Sequence, residues 1–340
     1  MKKYLLPQVG QFYKANLHCH STVSDGRWTP EQIKEAYMEK GYSIVAYTDH
    51  DVMIPHHELT DESFLAMTGY EMEVHSGSVF KYRKTCHMCL VALRPDIEKQ
   101  VCWHREKYMV GNGAQHRDQV RFEEDLPDFE RNYDHACICE MMRIGRESGF
   151  FVTYNHPTWS LEDYRNYGGY ENMHAMEIFN NNSFAAGHAE YNPHVYDDLL
   201  RQGKRIYCIA TDDNHDAHPI GSRRNDSFGG FKMIKADKLD YTTIGEALLA
   251  GNFYASQGPA IEELWYEDGK LYVKSSAADR ITMTTGTRKV RTVYREKGKM
   301  LTKATFEVQP DDIYVRVTVT DKYGKHADTN AYFVDELFGE

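Results

Sequence analysis

The chain has 340 residues, of which 41% are hydrophobic and 13% aromatic, a composition typical of a globular protein with a large core and room for two domains. Its formal net charge is -11, from 51 acidic and 40 basic residues. This balance excludes a protein that relies on a large basic surface to bind nucleic acid, but it is compatible with a small phosphorylated ligand.

The cysteines and the amino-terminal segment bear on the cellular compartment. The seven cysteines are an odd number without the spacing of a disulfide framework, so we expect reduced thiols. The segment before Pro7 has too few apolar residues for a secretory signal peptide. No apolar run reaches the length that spans a bilayer. The sequence therefore predicts a cytoplasmic protein that has no membrane partner.

Histidine and aspartate residues occur where the first predicted strands end. His18 and His20 are two residues apart, so in an extended chain both imidazoles project from the same face. A buried strand predicted over 43–48 leads directly into Asp49-His50-Asp51. In α/β folds the carboxyl ends of the strands hold the chemistry, so this edge is the expected site.

The same pattern recurs further along the chain. Strands are predicted over residues 65–71, 87–93, 150–154, 175–179 and 205–211. The metal-binding residue types at their ends are Glu71, His87, His156, Asp213 and His215. The alternation with helical segments predicts an α/β fold that resembles a barrel. One histidine at a strand end is more often structural than a ligand, but this constellation favours a metal site of imidazole and carboxylate ligands, which suits zinc, manganese or iron.

Other ligand arrangements compete with this one. The motif Cys86-x-x-Cys89 is compatible with a zinc knuckle, but a zinc cage needs a second properly spaced pair, so we favour packing roles for the cysteines. Glu73 and His75 compete with the nearby glutamate and histidine of the proposed set. We favour Glu71 over Glu73. We favour His87 over His75 because His87 opens a predicted strand.

Two further segments differ from this alternating pattern. Residues 95–134 are charged and aromatic with weak periodicity, and we interpret them as an insertion or helical cap over the site. From residue 259 onward, short alternating strands around an Asp268-Gly269 turn predict a small antiparallel β-domain, sandwich-like in form. The predicted domains are therefore 1–258, which carries the chemistry, and 259–340.

The ordered motifs resemble those of the PHP (polymerase and histidinol phosphatase) family of metal-dependent phosphoesterases. They are His18-x-His20, Asp25-Gly26, Thr48-Asp49-His50-Asp51, Gly69-x-Glu71, His87, His156-Pro157 and Asp213-x-His215. The match spans roughly residues 14–218. It implies a distorted (β/α)7 barrel that holds two or three divalent metal ions. Residues 219–340 resemble the tail of one bacterial metallohydrolase branch of this superfamily.

The resemblance also implies that nine residues bind zinc, manganese or iron in three groups. The first group comprises His18, His20, Glu71 and Asp213. The second group shares the bridging Glu71 and also comprises His87 and His156. The third group comprises Asp25, His50 and His215, and its occupancy decides between two ions and three. Asp212, next to a ligand in the chain, would orient that ligand without touching the metal.

These roles lead us to expect metal-assisted hydrolysis of a phosphomonoester or phosphodiester in a small metabolite or nucleotide. A hydroxide that bridges two ions is the expected nucleophile. Either His215 or a neighbouring acid such as Asp212 is a candidate proton donor to the leaving group. Arg223 and Arg224 are candidates for a phosphate clamp, although an Arg-Arg pair in a polar loop is equally typical of solvated surface.

Two alternatives stay open at this level. The same nucleophile can attack a carbonyl carbon, which allows a hydrolase of a carboxylic ester, carbamate or amide. A metal-stabilised, non-enzymatic barrel that presents the β-domain to a partner or glycan is the other alternative, although such a role needs fewer ligands. The sequence does not indicate the oligomeric state.

Overall fold

The chain alternates strands and helices up to residue 249 and then continues mainly as strands, in a computed structural model that describes residues 2–339. The strands are β1 (Lys2–Tyr4), β2 (Gln11–Asn16), β3 (Ile44–Tyr47), β4 (Leu65–His75), β5 (Thr85–Ala92), β6 (Phe150–Tyr154), β7 (Ala175–Asn180), β8 (Tyr207–Thr211), β9 (Phe231–Ala236), β10 (Phe253–Ser256), β11 (Ile261–Glu267), β12 (Lys270–Ala278), β13 (Arg280–Thr285), β14 (Val290–Tyr294), β15 (Leu301–Glu307), β16 (Tyr314–Thr320), β17 (His326–Thr329) and β18 (Tyr332–Phe333). The α-helices are α1 (Pro30–Glu39), α2 (His135–Glu147), α3 (Tyr164–Tyr167), α4 (Asn181–Ala186), α5 (Pro193–Arg201), α6 (Tyr241–Leu249) and α7 (Val334–Phe338).

The larger sheet has 14 strands and runs in the order β14-β13-β16-β17-β10-β9-β2-β3-β4-β5-β6-β7-β8, with β18 beside β16. Strands β2 to β4 are parallel to one another, as are β6 to β8, and the predicted α/β class is confirmed. Strand β5 is antiparallel to both of its neighbours, β4 and β6. The start of β5 therefore lies beside the end of β4, where His87 pairs with Glu73.

The segment that follows β8 contacts the segment that follows β2. The amide of Asp213 donates a hydrogen bond to the carbonyl of His18 over 2.9 Å, and the amide of His20 donates to the carbonyl of Asn214 over 3.0 Å. Cys19 lies between these two contacts, and its side chain is fully buried in the core cluster that includes residues of α1. The two ends of the β2–β8 series thus meet at the edge where the predicted ligands lie.

The two largest hydrophobic cores lie in different parts of the molecule. The larger core lies between the main sheet and its helices, and the second lies between the four-stranded sheet β1-β11-β12-β15 and strands β13, β16 and β17. The expected turn joins β11 to β12, and both Asp268 and Gly269 have positive φ there. Strand β10 pairs with β17, so the main sheet runs across residue 258, and the domain boundary predicted there stays a prediction.

Residues 95–134 lie beside the site and contain no α-helix, and the insertion or helical cap predicted there stays a prediction. They contain one 3₁₀ helix, Gly113–Gln119. Trp103 and Val120 of this segment pack in one cluster with Val23 and Val52, which come from the loops that carry predicted ligands. The segment is therefore attached to the site by apolar contacts.

Two general properties of the chain complete this description. All seven cysteines are free, as their number and spacing predict. Within residues 2–339, no helix combines the length and the apolar character needed to cross a membrane.

Candidate metal centre

The nine residues predicted as metal ligands converge at one edge of the main sheet. They are His18, His20, Asp25, His50, Glu71, His87, His156, Asp213 and His215. All except His18 and His20 line a cavity of about 620 Å³, and those two histidines are fully buried beneath it. Their ligand atoms form overlapping groups in which the atoms lie within 4.8 Å of one another.

The predicted first group is compact and buried. The Nε2 atom of His18 lies 3.1 Å from Oε1 of Glu71 and 3.2 Å from Oδ1 of Asp213. The Nε2 atom of His20 lies 3.0 Å from that same Asp213 oxygen. The two imidazole Nε2 atoms are themselves 3.1 Å apart. Four ligand atoms therefore point at one small volume, which is the arrangement that a bound cation requires.

The predicted second group is arranged around one carboxylate oxygen. The Oε1 atom of Glu71 lies 3.2 Å from Nδ1 of His87 and 3.4 Å from Nε2 of His156. Its other oxygen, Oε2, lies 3.2 Å from Nδ1 of His50. Glu71 thus stands between the groups, in the position that a bridging ligand needs. Glu73, which competes with it in the sequence, lies instead on the far side of the imidazole of His87, 3.1 Å from Nε2.

The predicted third group faces the cavity. The carboxylate of Asp25 lies 3.4 Å from Nε2 of His215, 3.8 Å from Nε2 of His50 and 3.9 Å from Nδ1 of His20. The side chain of Asp25 is 55% exposed, so this group is open to solvent, unlike the first. His20 therefore adjoins two groups, a detail that the sequence does not indicate.

Several buried polar atoms at this centre have no hydrogen-bond partner among the described residues. They are Nδ1 of His20, Oε2 of Glu71 and both ring nitrogens of His87. Such atoms cost roughly 1–3 kcal/mol each when they are left unsatisfied, and more when they are charged. A divalent cation would accept a lone pair from a carboxylate oxygen and from one nitrogen of an imidazole, and the donor set of imidazole nitrogen and carboxylate oxygen without thiolate suits zinc, manganese or iron. The residues present therefore fit a divalent metal centre.

Neighbouring carboxylates raise the pKa values of two of the predicted ligands, His87 and His215. Burial opposes protonation of His87, but the carboxylates of Glu71 and Glu73 outweigh it and raise its pKa to about 10. Burial likewise opposes protonation of His215, and hydrogen bonding to Asp25 together with the charge of Asp213 raises its pKa to about 10. Metal binding to these nitrogens must displace the protons.

Glu177 belongs to the centre, and sequence reasoning missed it. Its Oε1 atom accepts hydrogen bonds from Nδ1 of His18 over 2.7 Å and from the hydroxyl of Thr211 over 2.6 Å. Its Oε2 atom accepts from the backbone amide of His156 over 2.9 Å. The hydrogen bond between His18 and Glu177 orients the imidazole of His18 so that its Nε2 atom faces the cluster. The available signal was a carboxylate in the middle of an apolar strand, because a buried charge requires partners.

The position of Asp212 corrects the prediction that it acts in the chemistry. Its carboxylate accepts hydrogen bonds from the backbone amides of Phe228, Gly229 and Gly230 and from the hydroxyl of Tyr37, each over 2.8 Å. These bonds occupy both oxygens on the side of the strand that faces α1, and Asp212 does not line the cavity. Asp212 therefore orders the loop before β9 and contacts no predicted ligand.

The positions of Arg223 and Arg224 require a similar correction. Both side chains are exposed and neither lines the cavity. The physical reason is that Asp226 accepts a hydrogen bond from the amide of His215 over 2.8 Å, which closes the base of this loop and directs its tip to solvent. Arg27, which follows the predicted ligand Asp25 closely in the chain, lines the cavity instead.

Comparisons with known proteins give structural likenesses at low sequence identity. No protein-family model and no curated protein sequence matches this chain. Among solved structures it is similar to a two-domain protein from Bacteroides vulgatus that contains a predicted PHP-like metal-dependent phosphoesterase, with 16% identity, 94% of each chain covered and a TM-score of 0.44.

Two further structures show lower similarity. A protein from Bifidobacterium adolescentis, described as a metal-dependent phosphoesterase, has 15% identity, 65% of this chain and 94% of that chain covered, and a TM-score of 0.37. An amidohydrolase from Chromobacterium violaceum, with bound sulfate and no metal, has 15% identity, 59% and 87% covered, and a TM-score of 0.36. The description of the first of these structures names the family that the ordered motifs of this chain resemble.

Proposed function

We propose that this protein is a metal-dependent hydrolase that cleaves a phosphoester in a small molecule. The observation that carries the proposal is the position of Glu71, whose two oxygens lie within 3.5 Å of imidazole nitrogens from five predicted ligands. A carboxylate surrounded by nitrogen lone pairs in this way is the arrangement of a centre that holds more than one cation. We assign the nine converging residues as ligands of two or three ions of zinc, manganese or iron in a barrel of the (β/α)7 type.

Other residues around that centre would bind the substrate or position the metal ligands. When bound, the divalent ions supply Lewis acidity, which activates water and offsets charge on the phosphoryl oxygens. Arg27 and Asn182 line the cavity and offer donors to those oxygens. Glu177 holds His18 in place from behind. The cavity, at about 620 Å³, suits a metabolite or a mononucleotide rather than a polymer.

His215 has a role that depends on the number of ions. It lines the cavity, and its Nε2 atom faces Asp25 at 3.4 Å. If the third group held no ion, this nitrogen would carry a proton at the surface of the cavity and would serve as the general acid. A third ion held by Asp25, His50 and His215 would occupy that position, and another donor would then be needed.

Metal analysis and a substrate panel test the proposal. We expect purified protein to carry zinc, manganese or iron in stoichiometric amounts and to release phosphate from small phosphoesters. His18→Ala should lower the rate at least a hundredfold and reduce the metal content. The matched control is His75→Ala, because His75 is an exposed histidine further along the same strand as Glu71.

Two outcomes would contradict the proposed function. Protein that binds no transition metal, with a His18→Ala variant as active as the parent, would exclude the metal centre. Turnover of carboxylic esters, carbamates or amides without any phosphate release would retain the metal centre and replace the phosphoester by a carbonyl substrate.

A further inference from the structure

The segment 95–134 contacts both of the loops that carry His50 and Asp25, two ligands of the third group. Its apolar side chains pack in one cluster with Val23 and Val52. Val23 comes two residues before Asp25 in the chain, and Val52 comes two residues after His50. Apolar packing is non-directional, so it brings the segment to these loops without fixing the position of a ligand atom. Directional contacts from the same segment supply that position.

Asp51, the residue that follows His50, receives these directional contacts. Its φ is 54°, a left-handed conformation that few residues other than glycine adopt, so the chain turns sharply at this point. Its amide donates a hydrogen bond to the carbonyl of Glu71 over 2.8 Å. Its carbonyl accepts a hydrogen bond from Nε2 of Gln100 over 2.9 Å, and its carboxylate pairs with Arg131. Two of these three contacts come from the segment 95–134.

The ion pair between Arg131 and Asp51 is buried. The Nη2 atom of Arg131 lies 2.6 Å from Oδ1 of Asp51, and the two side chains are only 2% and 4% exposed. The Nη1 atom donates a hydrogen bond to the carbonyl of Glu73 on β4 over 3.0 Å, and the guanidinium lies 4.1 Å from the ring centroid of Tyr108. A buried charge is costly to separate from its partner, so Arg131 restrains the carboxylate of Asp51 to one position.

Gln100 restrains the backbone of the same turn. Its side chain is buried, and its Oε1 atom accepts a hydrogen bond from the amide of Met53 over 2.9 Å. One side-chain amide thus connects the carbonyl of Asp51 with the amide of the second residue after it. The backbone amide of Gln100 donates to the carbonyl of Arg121 over 2.8 Å, which fixes Gln100 within its own segment. The turn after His50 is therefore held by a side chain that is itself held.

The ligands of the first group are positioned from other parts of the molecule. His18 is oriented by Glu177 on β7. The Oδ2 atom of Asp213 accepts a hydrogen bond from the side-chain amide of Asn180 over 3.2 Å. Glu71 lies within β4, whose backbone pairs with β5 on one side. These partners lie outside the segment 95–134, so a loss of its contacts should affect the third group more than the first.

We propose that Arg131 and Gln100 are positioning residues for His50, and that the segment 95–134 thereby sets the affinity of the third group for a divalent cation. This inference rests on the proposed function, because it takes Asp25, His50 and His215 as ligands. It adds a determinant of the number of bound ions, and that number decides whether His215 is a ligand or a proton donor.

The test counts zinc ions and measures their stepwise affinities by titrating metal-free protein in competition with a chromophoric chelator. We expect three ions in the parent protein, and His215→Ala identifies the step that belongs to the third group. Arg131→Gln and Gln100→Met should each weaken that step by roughly 10- to 100-fold, the usual effect of a partner that positions a ligand. The other two steps should stay as in the parent.

Further variants separate a positioning role from a general effect on the fold. Arg131→Lys keeps the charge and should restore part of the affinity. Asp51→Asn combined with Arg131→Gln should be little weaker than either single variant, because all three lack the same ion pair. The matched control is Arg117→Gln, since the guanidinium of Arg117 contacts only carbonyls of the segment itself among its hydrogen-bond partners, and its third step should not change.

An unchanged third step in Arg131→Gln and Gln100→Met would overturn the positioning role and leave the proposed function intact. A parent protein that binds only two ions at saturating zinc would have the same consequence. If Arg131→Gln does not fold, Gln100→Met decides the outcome, and weakening of all three steps in that variant would overturn the inference. A parent protein that binds no zinc, manganese or iron would overturn the inference and the proposed function together.

Discussion

The Nδ1 atom of His18 donates a hydrogen bond to Oε1 of Glu177 over 2.7 Å, and both side chains are fully buried. Burial alone would raise the pKa of Glu177, but the positive charge and the hydrogen bond of His18 lower it below its ordinary value. Glu177 is therefore ionised and acts as the acceptor, and the other nitrogen of His18 is presented to the cluster. The pair makes an orienting contact that the metal ligands by themselves do not supply.

Glu177→Gln should weaken metal binding. The amide retains the shape of the side chain but loses the negative charge that orients His18 and makes it a stronger ligand, so we expect a loss of roughly 10- to 100-fold in metal affinity. Competition with a chromophoric chelator measures this affinity. Glu246→Gln, an exposed glutamate on α6, is the matched control. An unchanged affinity in Glu177→Gln would show that the buried hydrogen bond has no effect on the centre.

Metal affinity should depend on pH through two histidines. The pKa values of His87 and His215 are both raised to about 10 in the metal-free protein, so both nitrogens are protonated at neutral pH. Metal binding must then release protons, and affinity should increase from pH 6 towards pH 9. Titration calorimetry in buffers of different ionisation enthalpy counts the released protons. Proton release near zero would mean that these histidines are neutral before the metal arrives.

Lys232 should make the stability of the protein depend on pH. Its side chain is fully buried, and its Nζ atom has no hydrogen-bond partner among the described residues. Burial lowers its pKa to about 7, and the carboxylate of Glu177 offsets only part of that effect. Between pH 7 and the ordinary lysine pKa of about 10.4, the unfolded chain binds this proton and the folded chain does not. Stability should therefore rise with pH in this window, by on the order of 1 kcal/mol per pH unit.

Lys232→Met removes the titrating group and should remove this part of the pH dependence. Other groups titrate in the same window, so the difference between parent and variant is the informative quantity. Urea unfolding at pH 7 and pH 9.5 should show a larger stabilisation by the substitution at the lower pH. Lys297→Met, at an exposed position, provides the comparison. A constant difference between parent and Lys232→Met at the two pH values would refute the assignment.

Glu162 should be a major contributor to stability. Its carboxylate accepts hydrogen bonds from the hydroxyls of Tyr133 and Tyr154, each over 2.6 Å, and from the hydroxyl of Tyr170. Glu162→Ala would leave three hydroxyls without this acceptor, at a cost of roughly 3 kcal/mol or more in the free energy of unfolding. Glu162→Gln keeps one carbonyl acceptor and should cost less. Chemical denaturation of the three proteins measures the order, and equal stability would contradict it.

The larger part of the predicted site came from local patterns. Side chains two apart in an extended chain share a face, so His18-x-His20 and Asp213-x-His215 each indicate two groups that reach the same place. Strand ends in α/β sheets meet at one edge, so the residues after several strands could be expected together without knowledge of the strand order. The structure brings all nine of these residues together, and their role as ligands stays a prediction for metal analysis.

What the local patterns could not indicate depends on contacts between distant segments. His87 lies near the start of β5, and it reaches the site because β5 runs antiparallel to β4, a pairing that no local pattern indicates. Arg223 is near His215 in the chain, yet it points to solvent because the loop is closed at its base. Proximity along the chain was therefore a wrong basis for predicting that Arg223 and Arg224 bind phosphate.

The sequence by itself determined the class of the fold and the residue types of the candidate centre, because hydrophobic periodicity and the residue types at strand ends are local properties. Only the tertiary structure decided which side chains face those residues. Glu177 and Asp212 are both buried carboxylates at β7 and β8, and one supports His18 while the other binds backbone amides of a loop. Strand pairing and sheet curvature decide between these two roles, and both arise from contacts between residues far apart in the chain.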